Sequence, residues 1–341
     1  MSKLLTIAIP TYNRAESLDK QLAWLAQSIR GWESECEILV SDNCSNDHTQ
    51  AVINKWQHQL KDIIFKSQRN SENIGLIKNI IRCLTSADTQ YVWTIGDDDK
   101  IDERSVAYVV NKLKNYDGLS LLFLNFSGRN ELTNEPVHPP TILGNRWFDA
   151  DTEDGNGDGK AIFEHCFGKS IGAVSFLTAS IYRTDLIKRA LVIWPDAQNN
   201  WLCLAYLAGY CAANGQVIVT KDTYIECIIG VSYWQKEVDS ALLMQYKHIP
   251  EVIVKLAENG YSKEFSRQSI LQNFKEVNLK VFLGGLRRWP VSSLKILVSF
   301  LVVVSVCAFE TALVNKLKVG YLLNVYNNSL KLRRINYINK I

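Results

Sequence analysis

The first hundred residues alternate between short apolar runs and amphipathic stretches. Leu4 to Pro10 is a near-continuous apolar run of strand length, stopped by Thr11-Tyr12-Asn13. Ser17 to Ile29 then sets Leu18, Leu22, Leu25, Ala26 and Ile29 at helical spacing. Glu37 to Ser41 predicts a second buried strand, broken by the polar cluster Asp42 to Asp47, and a helix follows over Thr49 to Leu60. Ile63 to Lys66 and Tyr91 to Ile95 read as third and fourth strands, with a helix over Gly75 to Leu84 between them. Strands and helices alternating at this spacing imply βαβ units, an α/β class and a mostly parallel sheet. Ligands of such sheets bind beyond the carboxyl ends of the strands, where three polar clusters of this sequence sit.

Beyond Lys100 the pattern loosens. Ser105 to Leu113 predicts a helix, Leu119 to Asn125 a strand, and 128–160, with three prolines and several glycines, a loop. Val174 to Tyr182 is strand-like, Leu202 to Ala213 helical, and from about Met244 the chain turns mainly helical.

Composition narrows the class. With 341 residues, 47% of them hydrophobic, the chain buries a core without covalent staples. A net charge of +3, from 38 basic and 35 acidic residues, excludes disorder and gives nucleic-acid binding no support. The eight cysteines form no CxxC pair, so they read as free, mostly buried thiols of a cytoplasmic protein. The N-terminal apolar run is too short for a signal peptide.

Candidate chemistry centres on Asp97-Asp98-Asp99 at the end of the fourth strand. Carboxylates this close raise one another's pKa unless a cation or strong donor compensates. Hard divalent ions take carboxylate oxygens together with substrate phosphates, while a solvated loop or helix cap is the plainer alternative. Asp154 to Gly159 imitates the start of a calcium loop, but its twelfth position is His165, so the bidentate acid is missing.

Four segments in order settle the weighting. Pro10-Thr11-Tyr12-Asn13-Arg14, then Asp42-Asn43-Cys44-Ser45-Asn46-Asp47-His48-Thr49, then Asn73-Ile74-Gly75 with Lys78-Asn79, then Gly96-Asp97-Asp98-Asp99 together resemble the family 2 glycosyltransferases over about residues 4–103. Bacterial O-antigen and capsule enzymes, including abequosyltransferase-like ones with a G-D-D-D element, look most similar. The resemblance implies the GT-A fold, a Rossmann-like, mostly parallel sheet flanked by helices, here with a mainly helical C-terminal extension. It implies a hexosyltransferase-type enzyme that moves a single sugar, with inversion, from a nucleotide-diphosphate sugar to a lipid-linked glycan acceptor in surface polysaccharide synthesis. Pro10, Thr11, Tyr12, Asn13, Arg14, Asn43, Ser45, Asn73, Gly75 and Lys78 would line the donor pocket, and Asp42 would accept a hydrogen bond from the base. Asp97 would face the ribose or the metal, and Asp99 would ligate Mn²⁺ or Mg²⁺, with Asp98 able to take either role. Asn43 and Cys44 stand where the family has Asp and Gly. The general base of this family precedes a helix ending in Gly, and Asp196, ahead of Gly209, is the carboxylate there; its plainer role is a helix N-cap. The alternative is a non-catalytic nucleotide-sugar or glycan-binding GT-A module, against which the intact triplet argues.

The expected organisation is a nucleotide-sugar-binding half over 1–103, an acceptor-binding half over 104–240 and a helical region over 241–341. Its segment 294–314 is nearly all apolar, with Arg287, Arg288 and Lys295 before or within it and Lys316 and Lys318 after. Basic flanks on both sides suit a segment lying on an anionic cytoplasmic leaflet better than one crossing it; an ordinary buried helix is the other reading. A peripheral or monotopic place at the inner face of the cell membrane follows as the expectation.

Overall fold

The computed structural model describes residues 3–130, 132–137, 147–148, 157–229, 242–275 and 279–309. The chain divides into two compact units, Met1–Ser232 and Tyr233–Ile341.

The first unit is built on one mixed sheet. Its strands are β1 (Leu5–Thr11), β2 (Cys36–Asp42), β3 (Ile64–Arg69), β4 (Tyr91–Thr94), β5 (Lys100–Ile101), β6 (Leu119–Asn130), β7 (Pro136–Val137), β8 (Ser180–Arg183) and β9 (Gln216–Ile229). They lie in the order β3-β2-β1-β4-β8-β6-β9-β5, with β7 paired to β6. The four N-terminal strands pair in parallel, with Thr11 opposite Asp42 and Asp42 opposite Arg69, so the polar residues ending each strand share one edge. Every residue of β1, β2 and β4 is buried, which is why these strands read as continuous apolar runs. The helices α1 (Ala15–Ser28), α2 (Thr49–Gln59), α3 (Leu76–Ser86) and α4 (Ser105–Asn115) fall where the sequence periodicity sets them, to within two residues at most ends.

The second half of the sheet departs from the expectation. β8 runs antiparallel to both β4 and β6, and β9, absent from the sequence reading, is a 14-residue strand parallel to β6. Most of the strand expected over Val174 to Tyr182 is instead a short helix α6 (Ile171–Val174) and a 3-10 turn (Leu177–Ala179) leading into β8. The loop expected over 128–160 is shortened at both ends. Gly128, Arg129 and Asn130 continue β6 by pairing with Cys227, Ile228 and Ile229, and α5 (Gly159–Lys169) begins at Gly159, N-capped by Asp158. Only glycine fits there, because a Cβ would lie 2.4 Å from the Ala212 carbonyl oxygen. Asp154 to Asn156 of the calcium-like run lie outside the described residues. Helices α7 (Thr184–Ile193) and α8 (Cys203–Ala213) complete this unit, joined through the 3-10 turn Pro195–Asn199.

No disulfide joins the described cysteines: Cys36, Cys83, Cys166, Cys203 and Cys211 are buried free thiols, and Cys44 and Cys227 are half-buried. Burial pushes Cys36, Cys83 and Cys203 up to about 12.

The second unit is helical where described, with α9 (Ile249–Glu258), α10 (Lys263–Lys275), α11 (Leu279–Arg288) and α12 (Pro290–Phe309). Its core includes Phe300, whose ring meets Tyr246 edge-on at 5.2 Å and Phe274 at 6.1 Å. No helix among the described residues is long and apolar enough to cross a membrane. The expected segment 294–314 is described as far as Phe309.

Candidate active site

The shared edge of β1, β2 and β4 carries two connected networks of polar residues. In the first, the chain leaves β1 through Asn13, whose φ of +52° lies in the left-handed region. Its amide donates to Ser45 Oγ at 2.8 Å, and its side-chain oxygen accepts from the Asn46 amide at 2.8 Å. Asp47 accepts from the amides of Ala15 and Thr49, both at 3.0 Å, and so fixes the starts of α1 and α2. Asn43 accepts from Asn70 Nδ2 at 2.8 Å and from the Ile74 amide at 3.0 Å, and donates to Asn73 Oδ1 at 2.7 Å. Asn73 in turn accepts from the Gly75 amide at 2.9 Å. Gly75, with φ of +86°, turns the chain into α3. Below them Asn79 bonds Ser41 Oγ, the Ser41 carbonyl and Asn70, which ties α3 to β2.

Asp42 belongs to this network. It is fully buried and accepts from the Ser45 amide at 2.9 Å and from Gln50 Nε2 at 2.6 Å, with Arg69 Nε at 3.5 Å. Its oxygens are engaged by the loop that follows it, through Ser45, and by Gln50 of α2 and Arg69 of β3. Cys44 holds the left-handed conformation, φ +67°, that the family's glycine adopts freely. The backbone shape is kept and the strain of a side chain accepted.

The second network joins Thr11, Arg14 and the three aspartates. Thr11 Oγ1 donates to Asp97 at 2.9 Å. Arg14 bridges Asp97 at 3.2 Å and Asp98 at 2.6 Å. Asp97 is 5% exposed, and its carboxyl is pushed up to about 6 by burial, the Asp98 charge adding to the shift against the pull of Arg14. Asp99 is pushed up to about 7, again first by burial and then by the charges of Asp98 and Asp97, against the hydrogen bond from Thr178. A Cβ on Gly96 would stand 2.6 Å from Asp99 Oδ2 and 3.3 Å from Asp98 Oδ1, so both carboxylates fold back over this residue.

Thr178 is the residue the sequence reading missed. Its hydroxyl accepts from the Gly96 amide at 2.9 Å and donates to Asp99, while its carbonyl accepts from Trp93 Nε1 at 2.8 Å. No local motif marks it. It arrives because β8 runs opposite to β4, which brings the entry to β8 to the edge where β4 ends.

Among the described residues no group of three or more His, Cys, Asp or Glu is arranged to hold a metal ion by itself. The donor set fits a hard ion that takes a few oxygens from aspartates and the remainder from a phosphate ligand and water. The charge balance agrees: three acidic groups meet one guanidinium, and the two with raised pKa values lack a full countercharge. Tyr12, 41% exposed, lies between Thr11 and Asn13 in the chain, and Lys78, half-buried in the first turn of α3, makes no hydrogen bond or ion pair among the described residues. Pro10 is buried within β1. Asp196 stands apart, exposed in the turn Pro195–Asn199, which lies against α3 and α8. Its carboxylate caps neither that turn nor α8.

Residues 6–170 match the model of the family described as Glycosyl transferase family 2. Over 108 residues the sequence is 36% identical to the abequosyltransferase RfbV of Salmonella typhimurium, a match covering 30% of this chain and 31% of that protein. The chain thus spans about a third of that relative's length. The solved structure of Staphylococcus aureus TarS 1–349 in complex with UDP aligns with a TM-score of 0.58 at 15% identity, covering 98% of this chain and 93% of that one. The mannosyltransferase PcManGT from Pyrobaculum calidifontis in complex with GDP-Man and Mn²⁺ aligns with a TM-score of 0.56 at 13% identity, covering 98% and 82%. At these identities the likeness is one of fold: a GT-A-like mixed sheet flanked by helices.

Proposed function

Residues 6–170 being those of a glycosyl transferase family 2 domain, we propose that the protein is a glycosyltransferase that moves one sugar from a nucleotide-diphosphate sugar to a glycan acceptor, with inversion. The observation that carries this reading is the aspartate cluster at the carboxyl end of β4, facing the loops that follow β1 and β2. The donor's nucleoside lies against Tyr12, Asn13, Asn43, Ser45, Asn73 and Gly75, and its diphosphate reaches toward Asp97, Asp98 and Asp99. Bound there, Mn²⁺ or Mg²⁺ supplies positive charge against the leaving diphosphate. Arg14 and Lys78 offer two further cations to the same phosphates. Thr11 and Thr178 hold Asp97 and Asp99 in place through their hydroxyls, so the carboxylates need not reorganise as charge develops. Asp196, exposed and without a hydrogen bond or ion pair among the described residues, takes the proton of the acceptor hydroxyl as general base. The similarity to an abequosyltransferase supports a lipid-linked acceptor of bacterial surface polysaccharide, with the enzyme working peripherally or monotopically at the inner face of the cell membrane.

A panel of nucleotide sugars, screened with Mn²⁺ for thermal stabilisation and then for nucleotide release with membrane extract, tests the reading. One donor is expected to stabilise the protein and to release its nucleotide. Asp99→Ala is expected to abolish release and metal-dependent donor binding. Asp196→Asn is expected to lower kcat by at least about 10²-fold with donor affinity unchanged, as removal of a general base does. Release that is indifferent to Asp99→Ala sinks the metal assignment, and unchanged kcat in Asp196→Asn sinks the base.

A further inference from the structure

The last described helix, α12, has two faces with different surroundings. On one, Ser293, Phe300 and Val304 are buried against the second unit's own residues, with Phe300 set between Tyr246 and Phe274. On the other, Val291, Leu294, Val298, Leu301 and Val302 stand between 38% and 60% exposed. Their spacings of three, four, three and one put these five side chains on one stripe of the helix, about 16 Å long at 1.5 Å per residue. A soluble protein leaves single apolar residues in water without consequence, but a continuous stripe marks something that covers it.

The charges around the stripe identify the cover. Residues 279–309 contain Lys280, Arg287, Arg288 and Lys295 and no Asp or Glu. Lys280, Arg287 and Arg288 are exposed on the adjoining helix α11, and Lys295, half-buried, borders the stripe from within α12. A second copy of the chain docking through the same face would set these four cations against their equivalents. A purely acidic partner would satisfy the cations but leave the five apolar side chains uncovered. A surface that accepts both an apolar ridge and a row of cations is an anionic bilayer.

We propose that α12 lies in the plane of an anionic lipid surface, with Val291, Leu294, Val298, Leu301 and Val302 inserted among the acyl chains and Lys280, Arg287, Arg288 and Lys295 at the headgroups. The buried face explains why the helix lies on the bilayer: crossing it would strip Phe300 from Tyr246 and Phe274 and carry Ser293 into hydrocarbon. This deepens the reading that the acceptor is lipid-linked, by naming the side of the protein that meets the lipid.

The test uses the full chain, without sugar donor, and vesicles of phosphatidylcholine alone or of equimolar phosphatidylcholine and phosphatidylglycerol. Flotation with the anionic vesicles is expected, and brominated lipid should quench part of the tryptophan fluorescence of the bound wild-type protein, Trp289 immediately preceding α12. Val298→Glu, a change at an exposed position, should leave the melting temperature unchanged and weaken binding at least about tenfold. Arg287→Gln with Arg288→Gln should weaken binding to anionic vesicles by about 30-fold, from roughly 1 kcal/mol per basic residue near such a surface. Wild-type protein that neither floats nor is quenched overturns the proposal, as does a Val298→Glu variant that binds like wild type. A solution dimer that Val298→Glu converts to monomer also overturns it, by assigning the stripe to a second copy. Because no donor is present, loss of vesicle binding refutes this inference alone, whereas failure of nucleotide release with a soluble donor refutes the glycosyltransferase reading alone.

Discussion

Asp99 is held by a hydroxyl that has only one proton to give. Thr178 Oγ1 accepts from the Gly96 amide, so its proton goes to Asp99. Thr178→Val keeps the shape and removes both bonds, leaving the Gly96 amide unsatisfied. Stability is expected to fall by about 1–3 kcal/mol in denaturant unfolding, and Thr178→Ser to restore it. An unaltered midpoint in the valine variant would show that water replaces the hydroxyl. Cys44 offers the opposite change. A non-glycine residue in the left-handed region costs roughly 1–2 kcal/mol, and a glycine there gives back about 0.4–1 kcal/mol through the freedom of the unfolded chain. Cys44→Gly is therefore expected to stabilise the protein by about 0.5–1 kcal/mol, and a loss of stability would mean that the thiol contact to the Ser71 carbonyl, at 3.5 Å, outweighs the strain. At this scale the aspartates were legible in the sequence because three adjacent carboxylates after an apolar run are unusual. Thr178 was not, because its role comes from a strand pairing 85 residues away from Trp93.

Among the elements, those that read well are those whose local pattern and tertiary burial agree. β1, β2 and β4 are covered on both faces, so their apolar runs are long and unbroken, and α1 to α4 show one buried stripe each. β9 failed to read because Gln216 to Ile229 mixes Lys221, Asp222 and Thr223, which are exposed, with buried Val217, Ile218 and Val219. It is a strand because β6 offers a partner along its length, a long-range cause that no local window contains. The apolar run of α12 is compatible in sequence with a core helix or an interfacial one; in the structure one face is buried and the other exposed. The junction of α3 and β2 provides a check at this scale. Asn79→Ala would leave Ser41 and Asn70 without their buried partner, so a loss of about 2 kcal/mol is expected in urea unfolding. A cost below half of that would indicate that Asn70 turns to bond Ser41 directly.

For the whole molecule, the two units carry buried titratable groups whose shifts have opposite signs. In the first unit the folded carboxyls of Asp97 and Asp99 sit near 6 and 7 against 3.8 when unfolded. The folded state therefore holds protons the unfolded state has lost, and this stability is present below about pH 4 and declines as pH rises to about 7. In the second unit His248 is pushed down to about 3 from 6.5, by burial and then by the Lys247 charge. There the unfolded state takes up the proton first, so stability is present above pH 6.5 and declines as pH falls toward 3, by about 2 kcal/mol at pH 5. Calorimetry on the metal-free protein is expected to show one transition weakening with alkali and another with acid. Asp99→Asn should flatten the first dependence and His248→Gln the second; a single transition moving one way would refute the assignment. The arrangement of thiols gives these two behaviours a way to be followed separately. Every cysteine whose side chain is described lies in the first unit, and five of the seven are sealed from solvent. A thiolate that forms only near pH 12 does not react at pH 8 while it stays enclosed. Alkylation of Cys36, Cys83 or Cys203 must then wait for the structure around each thiol to open, and its rate, site by site, measures how often the first unit breathes.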